Sequence, residues 1–184
     1  MDPEYAVDTI LQAAAGADAA HSRGIMHLDI NPSNIFIRDD GKGGEQAVLG
    51  DFGIWRKIPT APYVFSGDVP ANGTWPYTPL EQLLGEPCPQ SDVYSMSASL
   101  YQMIEGVLPF DAGDSPVDWL AFHLGPDQQV SAFSEKDAVH REIFKVVKQG
   151  LAASLNERQQ TVREFRQGLR FAFAAGLQEM QSSL

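Results

Sequence analysis

The stretch from residue 27 to residue 53 constrains the fold most, because it sets three oxygen-bearing side chains around two short apolar runs. Asp29 precedes Asn34 by five residues, and Asp51 follows the second run. The predicted strands are residues 35–37 and 47–49. The segment between them contains Asp-Gly and Gly-Gly pairs, which are typical of a β-hairpin. A hairpin brings Asn34 and Asp51 to the same end of the strands.

The identity and spacing of these residues resemble those of two loops in the eukaryotic-type Ser/Thr protein kinases, including the kinases of bacteria. Asp29 and Asn34 match the catalytic loop, and the triplet Asp51-Phe52-Gly53 matches the metal-binding loop. Further blocks of that family follow in order. Residues 73–83 (GTWPYTPLEQL) resemble its substrate-docking loop and the end of its activation segment, and residues 91–110 and 156–165 follow. A lone Asp-Phe-Gly triplet would be a weak signal, whereas a series of blocks in family order is a strong one.

The resemblance implies a role for each candidate site residue. Asp29 would be the catalytic base, and Asn34 and Asp51 would hold the magnesium ion of bound Mg-ATP. Asn31 stands where Ser/Thr kinases usually carry a lysine near the γ phosphate, so one source of charge stabilisation is missing. Phe36 occupies the position that forms the floor under adenine, where it could stack on the base or fill its space.

The resemblance also implies residues that support the site. Asp92 would anchor the backbone of the catalytic loop, and His27 would be a buried support. Arg158 would pair with Glu81 as a buried ion pair. Leu28 replaces the arginine that receives an activation-loop phosphate in many members, so control by phosphorylation of that loop is not expected.

Hydrophobic periodicity predicts a mainly α-helical chain around the small β-hairpin. Together with the resemblance, this indicates the large helical lobe of a protein kinase, occupying residues 1–184 as a single domain. The predicted helices are residues 3–22, 91–105, 116–124, 136–153 and 160–175. Residues 54–81 contain several prolines and little periodicity, which favours a long ordered loop.

The features of a kinase small lobe are not found before His27. Residues 1–26 contain no Gly-x-Gly and no lysine, whereas the small lobe of the family carries a glycine-rich loop and a phosphate-binding lysine. We therefore expect the small lobe to be absent, and Mg-ATP to bind only weakly to the isolated chain. We also expect a protein partner, which could be a missing small lobe, a substrate or a regulated kinase.

Composition limits the kinds of partner other than protein. The net charge of -11 argues against a nucleic-acid surface and against an anionic membrane. Residues 1–26 show neither the basic start nor the apolar core of a secretory signal, so none is expected, and no stretch of this sequence reaches the roughly 18 consecutive apolar residues of a membrane-spanning helix. A cytoplasmic location is expected, although export by a route other than Sec would leave no such signal.

Three functions remain open at this stage. The chain could be the large lobe of a Ser/Thr kinase that a partner lobe completes, or a pseudokinase-type binding module that uses its exposed cleft as an interaction surface. A third possibility is a small-molecule phosphotransferase, because Asp-x-x-x-x-Asn recurs in such enzymes. The Asp51-Phe52-Gly53 triplet, the Gly73-Thr74 loop and Asp92 favour the protein-kinase branch.

Overall fold

A computed structural model gives the fold of the chain. It describes residues 1–58, 74–113, 115–125, 130–131, 133–134 and 136–182. Gly73, the first residue of the predicted docking-loop block, lies outside these ranges.

The described part of the chain is mostly helical, as the sequence predicts. The helices are α1 (Pro3–His21), α2 (Leu80–Leu83), α3 (Pro89–Glu105), α4 (Pro116–Leu124), α5 (Ala138–Gly150) and α6 (Val162–Ser182). Each predicted helix has a counterpart. Helix α6 continues past the predicted end at residue 175, because residues 177–182 face solvent and so lack the apolar periodicity used for the prediction.

The predicted hairpin is present, and its strands are antiparallel. Strand β2 (Ile35–Asp39) pairs with β3 (Glu45–Leu49), with Ile35 opposite Leu49. A second ladder joins β1 (Ile25–Met26) to β4 (Arg56–Lys57). The sequence did not predict this ladder, because strands of this length show no alternating pattern. Within the predicted long loop, α2 and a 3₁₀ turn at Trp75–Tyr77 were also missed.

The core is built around α3, which is buried continuously from Ser91 to Tyr101. Helix α1 packs against β3, α3 and α6 through alanines that lie close to their neighbours. Helix α5 packs against α3 and α6. The two loops that carry the candidate site therefore rest on a rigid helical support. Among the described helices, none is long and apolar enough to cross a lipid bilayer.

Helices α5 and α6 lie very close together at Gly176. A Cβ atom at this position would lie 2.5 Å from the Cα atom of Val139 and 2.9 Å from its backbone nitrogen. Backbone cannot move aside as a flexible side chain can, so the packing of the two helices depends on this glycine.

We expect Gly176→Ala to lower the free energy of unfolding by about 1 to 3 kcal/mol, as overpacking of a close helix contact does. Gly168 in the same helix is the matched control, because a Cβ atom there would meet Val146 at 3.8 Å, an ordinary contact. Gly168→Ala should be neutral or stabilising by up to about 1 kcal/mol. Chemical denaturation measures both, and equal effects of the two substitutions would contradict the packing account.

Candidate active site

Asp92 of α3 holds the start of the catalytic loop. Its side chain is fully buried and accepts hydrogen bonds from the backbone N–H of His27 (2.9 Å) and of Leu28 (2.8 Å). His21, at the end of α1, contacts the same carboxylate through Nε2 at 2.7 Å. The predicted anchoring role of Asp92 is confirmed, and His21 is an additional contact that the sequence did not reveal.

Asp29 is the centre of a hydrogen-bond network. The side-chain amide of Asn34 donates to Oδ2 at 3.0 Å and to the Asp29 carbonyl at 2.8 Å. Thr74 donates to Oδ1 from its backbone N–H (3.2 Å) and from its hydroxyl (3.0 Å). Asn31 adds a contact to Oδ1 at 3.3 Å. The structure therefore brings Asp29, Asn31 and Asn34 together, and it fixes the direction of the Asp29 carboxylate.

Asn31 is almost fully buried and stabilises the loop itself. Its Oδ1 accepts from the backbone N–H of Ser33 at 2.9 Å, which caps the 3₁₀ turn at Pro32–Asn34. Its Nδ2 donates to the Asp29 carbonyl (3.1 Å) and to the Thr74 hydroxyl (3.2 Å). These contacts occupy both ends of the amide. The expected lack of charge stabilisation at this position, near the γ phosphate, stays a prediction.

Thr74 is a site residue that sequence reasoning missed. It belongs to the block at residues 73–83, but nothing in that pattern shows that its hydroxyl faces Asp29. The hydroxyl accepts from Asn31 and donates to Asp29, so it links the docking loop to the catalytic loop. This contact spans 45 positions of the sequence, and only the fold brings its partners together.

If Asp29 is the base, Thr74→Val should lower kcat by roughly tenfold, which corresponds to the loss of one hydrogen bond to a charged group. The substitution removes the hydroxyl and nearly preserves the shape of the side chain. Thr74→Ser keeps the hydroxyl and is the matched control, with kcat expected near wild type. Steady-state phosphorylation assays compare them, and wild-type kcat in Thr74→Val would remove Thr74 from the site.

The metal-binding loop is attached beside Asn34. The Gly50 N–H donates to the Asn34 carbonyl at 2.9 Å, and the Gly50 carbonyl contacts Nε2 of buried His27 at 2.9 Å. Asp51 follows with a left-handed backbone (φ 57°) and an exposed side chain. The ring of Phe52 packs on His27 with a centroid separation of 4.4 Å. His27 is thus the buried support that was predicted, and it holds both loops together.

Asn34 and Asp51 form a donor set that fits magnesium. The contacts of Asn34 Nδ2 go to Asp29, so its Oδ1 is turned away from that carboxylate. An amide oxygen and an exposed carboxylate oxygen are hard ligands, and protein-bound Mg²⁺ commonly uses one or two carboxylates, several waters and substrate phosphates. In the described ranges, no group of three or more His, Cys, Asp or Glu side chains could hold a metal ion, so a site of the zinc type is not seen there.

Phe36 lies at the edge of the candidate site and is 54% exposed. Its ring covers Gly50, where a Cβ atom would lie only 2.8 Å from a ring carbon. Gly50 therefore allows the hairpin and the metal-binding loop to approach each other. The predicted contact of Phe36 with adenine remains a prediction, but its exposed ring is available for one.

Arg158 and Glu81 form a buried ion pair. Arg158 Nη1 lies 2.8 Å from Glu81 Oε1, and the two side chains are 1% and 11% exposed. Arg158 also donates to the Ala152 carbonyl, and Ser91 donates to Glu81 at 2.8 Å. The predicted buried ion pair is confirmed, and it fastens α2 to the loop before α6.

Cys88, the single cysteine, does not contribute a nucleophile to the site. Burial, together with the nearby Glu81 carboxylate, raises the pKa of the Cys88 thiol. Since only the thiolate is a strong nucleophile, a raised pKa leaves the group unreactive at neutral pH.

A catalytic loop carrying Asp29 and Asn34, beside an Asp-Phe-Gly loop and fixed to a buried central helix, defines a protein-kinase-like domain. The chain belongs to the protein kinase family: the family model described as "Protein kinase domain" matches residues 1–171.

Similar proteins include bacterial Ser/Thr kinases. The chain is 31% identical over 170 residues to the serine/threonine-protein kinase PknB of Mycobacterium tuberculosis, covering 92% of this chain and 26% of that protein. It is 39% identical over 125 residues to the serine/threonine-protein kinase pkn2 of Myxococcus xanthus, covering 67% and 15%. The chain therefore spans about a quarter or less of the length of these curated relatives.

The fold also matches a solved kinase structure. The Cydia pomonella granulovirus kinase PK-1 superimposes with a TM-score of 0.65 at 20% identity, covering 89% of this chain and 57% of that chain. At this identity the match concerns the fold alone. It supports a kinase-like fold for the helical chain and its small strand pairs.

Proposed function

We propose that this chain forms the large-lobe half of a Ser/Thr protein kinase site, which transfers the γ-phosphoryl group of Mg-ATP to protein hydroxyls once a small lobe completes it. The small lobe could lie on the same polypeptide or on another. The observation that supports this proposal best is the Asp29 carboxylate, which Asn34 and Thr74 orient beside the loop carrying Asp51.

Asp29 has the geometry of a base that accepts the proton of a substrate hydroxyl. Among the described residues, Oδ1 accepts from Thr74 and Asn31, whereas Oδ2 accepts only from Asn34. Oδ2 therefore keeps capacity for a further hydrogen bond, and the donors on Oδ1 fix its direction. General-base positioning of this kind contributes roughly 10² to 10⁴ in rate.

The magnesium ion would be held by Asn34 and Asp51. When bound, it supplies charge neutralisation at the transferred phosphoryl group and orients the phosphates. The protein's own contribution is the attachment of the Asp51 loop to Asn34 through Gly50, which keeps the two ligands in a fixed relation. The exposed Phe36 ring lies on the hairpin next to this loop and offers an apolar surface to the adenine base.

A small lobe is needed because residues 1–26 supply no phosphate-binding lysine and instead form α1 and β1. Without a small lobe facing these residues, the phosphates of ATP would be exposed to water. The attraction between unit charges about 4 Å apart falls from roughly 4 kcal/mol in a partly screened site to about 1 kcal/mol in bulk water. We therefore infer that catalysis by these residues alone is very weak, so that each kcat comparison, including that of the Thr74 variants, is made on the chain completed by a small lobe.

The test is reconstitution. The chain is joined behind the small lobe of a bacterial Ser/Thr kinase that carries the glycine-rich loop and the lysine, and phosphate transfer to a generic protein substrate is measured. Transfer that needs both halves and magnesium supports the proposal. A well-folded fusion that binds Mg-ATP and transfers no phosphate would contradict it and favour the second candidate.

The second candidate is a pseudokinase-type binding module. Aromatic side chains near the site are exposed, among them Phe36 (54%), Trp55 (47%) and Phe52 (37%), and such apolar surface often marks a partner site. The partner could be a small lobe, a substrate or a regulated kinase. For such a module, Phe52→Asp should abolish association with its protein partner, while Asp29→Asn leaves every function intact. An enzyme loses its activity in Asp29→Asn.

A further inference from the structure

Leu28, the residue before the proposed base, has a backbone conformation that leucine rarely adopts. Its φ angle is 67°, and its side chain is buried. A positive φ places the Cβ atom of an L-residue against its own backbone, so this conformation persists only where the surroundings impose it. The direction in which Asp29 leaves the chain depends on this conformation, because Leu28 immediately precedes it.

Two buried side chains from different helices hold the backbone of Leu28. Asp92 of α3 accepts its N–H at 2.8 Å. Gln82 of α2 donates from Nε2 to its carbonyl at 2.6 Å. Gln82 is only 5% exposed, and its contact spans 54 positions of the sequence. The hydrogen bond from the Leu28 N–H to Asp92 was expected from the family resemblance, but the hydrogen bond from Gln82 to the Leu28 carbonyl was not.

Building on the proposed function, we propose that Gln82 is a positioning residue, which aims the Asp29 carboxylate by holding the Leu28 carbonyl. Helix α2 follows Thr74 in the same segment of the chain, and Thr74 touches Asp29 directly. The segment from Thr74 to Leu83 thus contacts the catalytic loop at two residues, Asp29 and Leu28. The position of this segment and the orientation of the Asp29 carboxylate therefore depend on each other.

The first test needs no catalysis. Gln82→Met keeps the length of the side chain and removes the donor, so amide hydrogen exchange at residues 27–31 should become several-fold faster in the intact chain. Gln159→Met is the matched control. Gln159 is another buried glutamine that donates to a backbone carbonyl, that of Val146 at 3.1 Å, in a different part of the fold. Unchanged exchange at residues 27–31 in Gln82→Met, with the chain folded, would overturn the proposal.

The second test uses the reconstituted kinase. Gln82→Met should lower kcat by roughly 10- to 100-fold with little change in KM, because misplacing a catalytic group affects the chemical step. Gln82→Glu adds a signature that loss of packing does not give. A protonated carboxyl can donate to the Leu28 carbonyl and a carboxylate cannot, so kcat in this variant should approach wild type at low pH and fall as the carboxyl ionises.

The outcomes separate the positioning role from the proposed function. An inactive wild-type fusion would contradict the proposed function, while hydrogen exchange would still decide whether Gln82 holds Leu28. An active wild type, with a Gln82→Glu variant whose pH profile follows the wild-type profile, would overturn the role of Gln82 and leave the proposed function standing.

Discussion

We expect Asp29→Asn to lower kcat of the reconstituted kinase by roughly 10²- to 10⁴-fold, which is the usual contribution of a general base. An amide has nearly the same shape as a carboxylate, so the contacts of Thr74 and Asn34 can persist in part while the proton acceptor is lost. The measurement is steady-state phosphorylation at saturating Mg-ATP. KM for the protein substrate should change little, because the substrate contacts remain.

Asp39→Asn is the matched control for this substitution. Asp39 is an exposed aspartate at the end of β2, away from the catalytic loop, and its replacement should leave kcat within twofold or so of wild type. Equal activity of Asp29→Asn and Asp39→Asn would show that Asp29 is not the base.

Arg158→Met removes the cation of the buried ion pair, and we expect it to lower the free energy of unfolding by about 3 to 5 kcal/mol. The substitution leaves Glu81 as a mostly buried charge without its partner, and it removes the donors to the Ala152 carbonyl. It also removes the guanidinium that lies 5.1 Å from the centre of the Tyr94 ring. For a domain of this size, such a loss lowers Tm by roughly 6 to 20 °C.

Arg163→Met tests whether the loss of stability depends on the burial of the ion pair. Arg163 pairs with Asp18 at 3.2 Å, but its side chain is 66% exposed, so its loss should have an effect below about 1 kcal/mol. Adding Glu81→Gln to Arg158→Met should restore part of the stability, because the uncompensated charge is then removed. Chemical denaturation of the four proteins decides this, and similar losses for Arg158→Met and Arg163→Met would contradict a buried ion pair.

The helical part of the fold could be predicted because burial and helical periodicity coincide. In α3, the apolar positions Val93, Met96, Leu100 and Ile104 are buried as their spacing predicts. The hairpin was equally predictable, since its turn residues and two apolar runs are local features of the sequence. The ladder between β1 and β4 was not, because two residues are too few to show a strand period and their pairing depends on the fold.

The candidate site was predictable in its residue types but not in its contacts. The motif pattern identifies Asp29, Asn34 and Asp51, yet it does not show that Thr74 and Gln82 reach the loop from distant positions. The pattern suggested a loss at Asn31, where the usual lysine is missing. The structure adds that its amide caps the loop and contacts Asp29, and the expected loss stays a prediction. Such contacts depend on side-chain orientation, which local sequence does not determine.

The most direct test of the central claim is calorimetric titration of the purified chain with ATP and magnesium, alongside an Asp51→Ala variant. If these residues retain the metal and nucleotide half of a kinase site, binding will be weak, will require magnesium and will vanish in Asp51→Ala. Binding that is absent at millimolar nucleotide, or that is unchanged by Asp51→Ala, would contradict the claim and indicate a chain that acts through its protein partners.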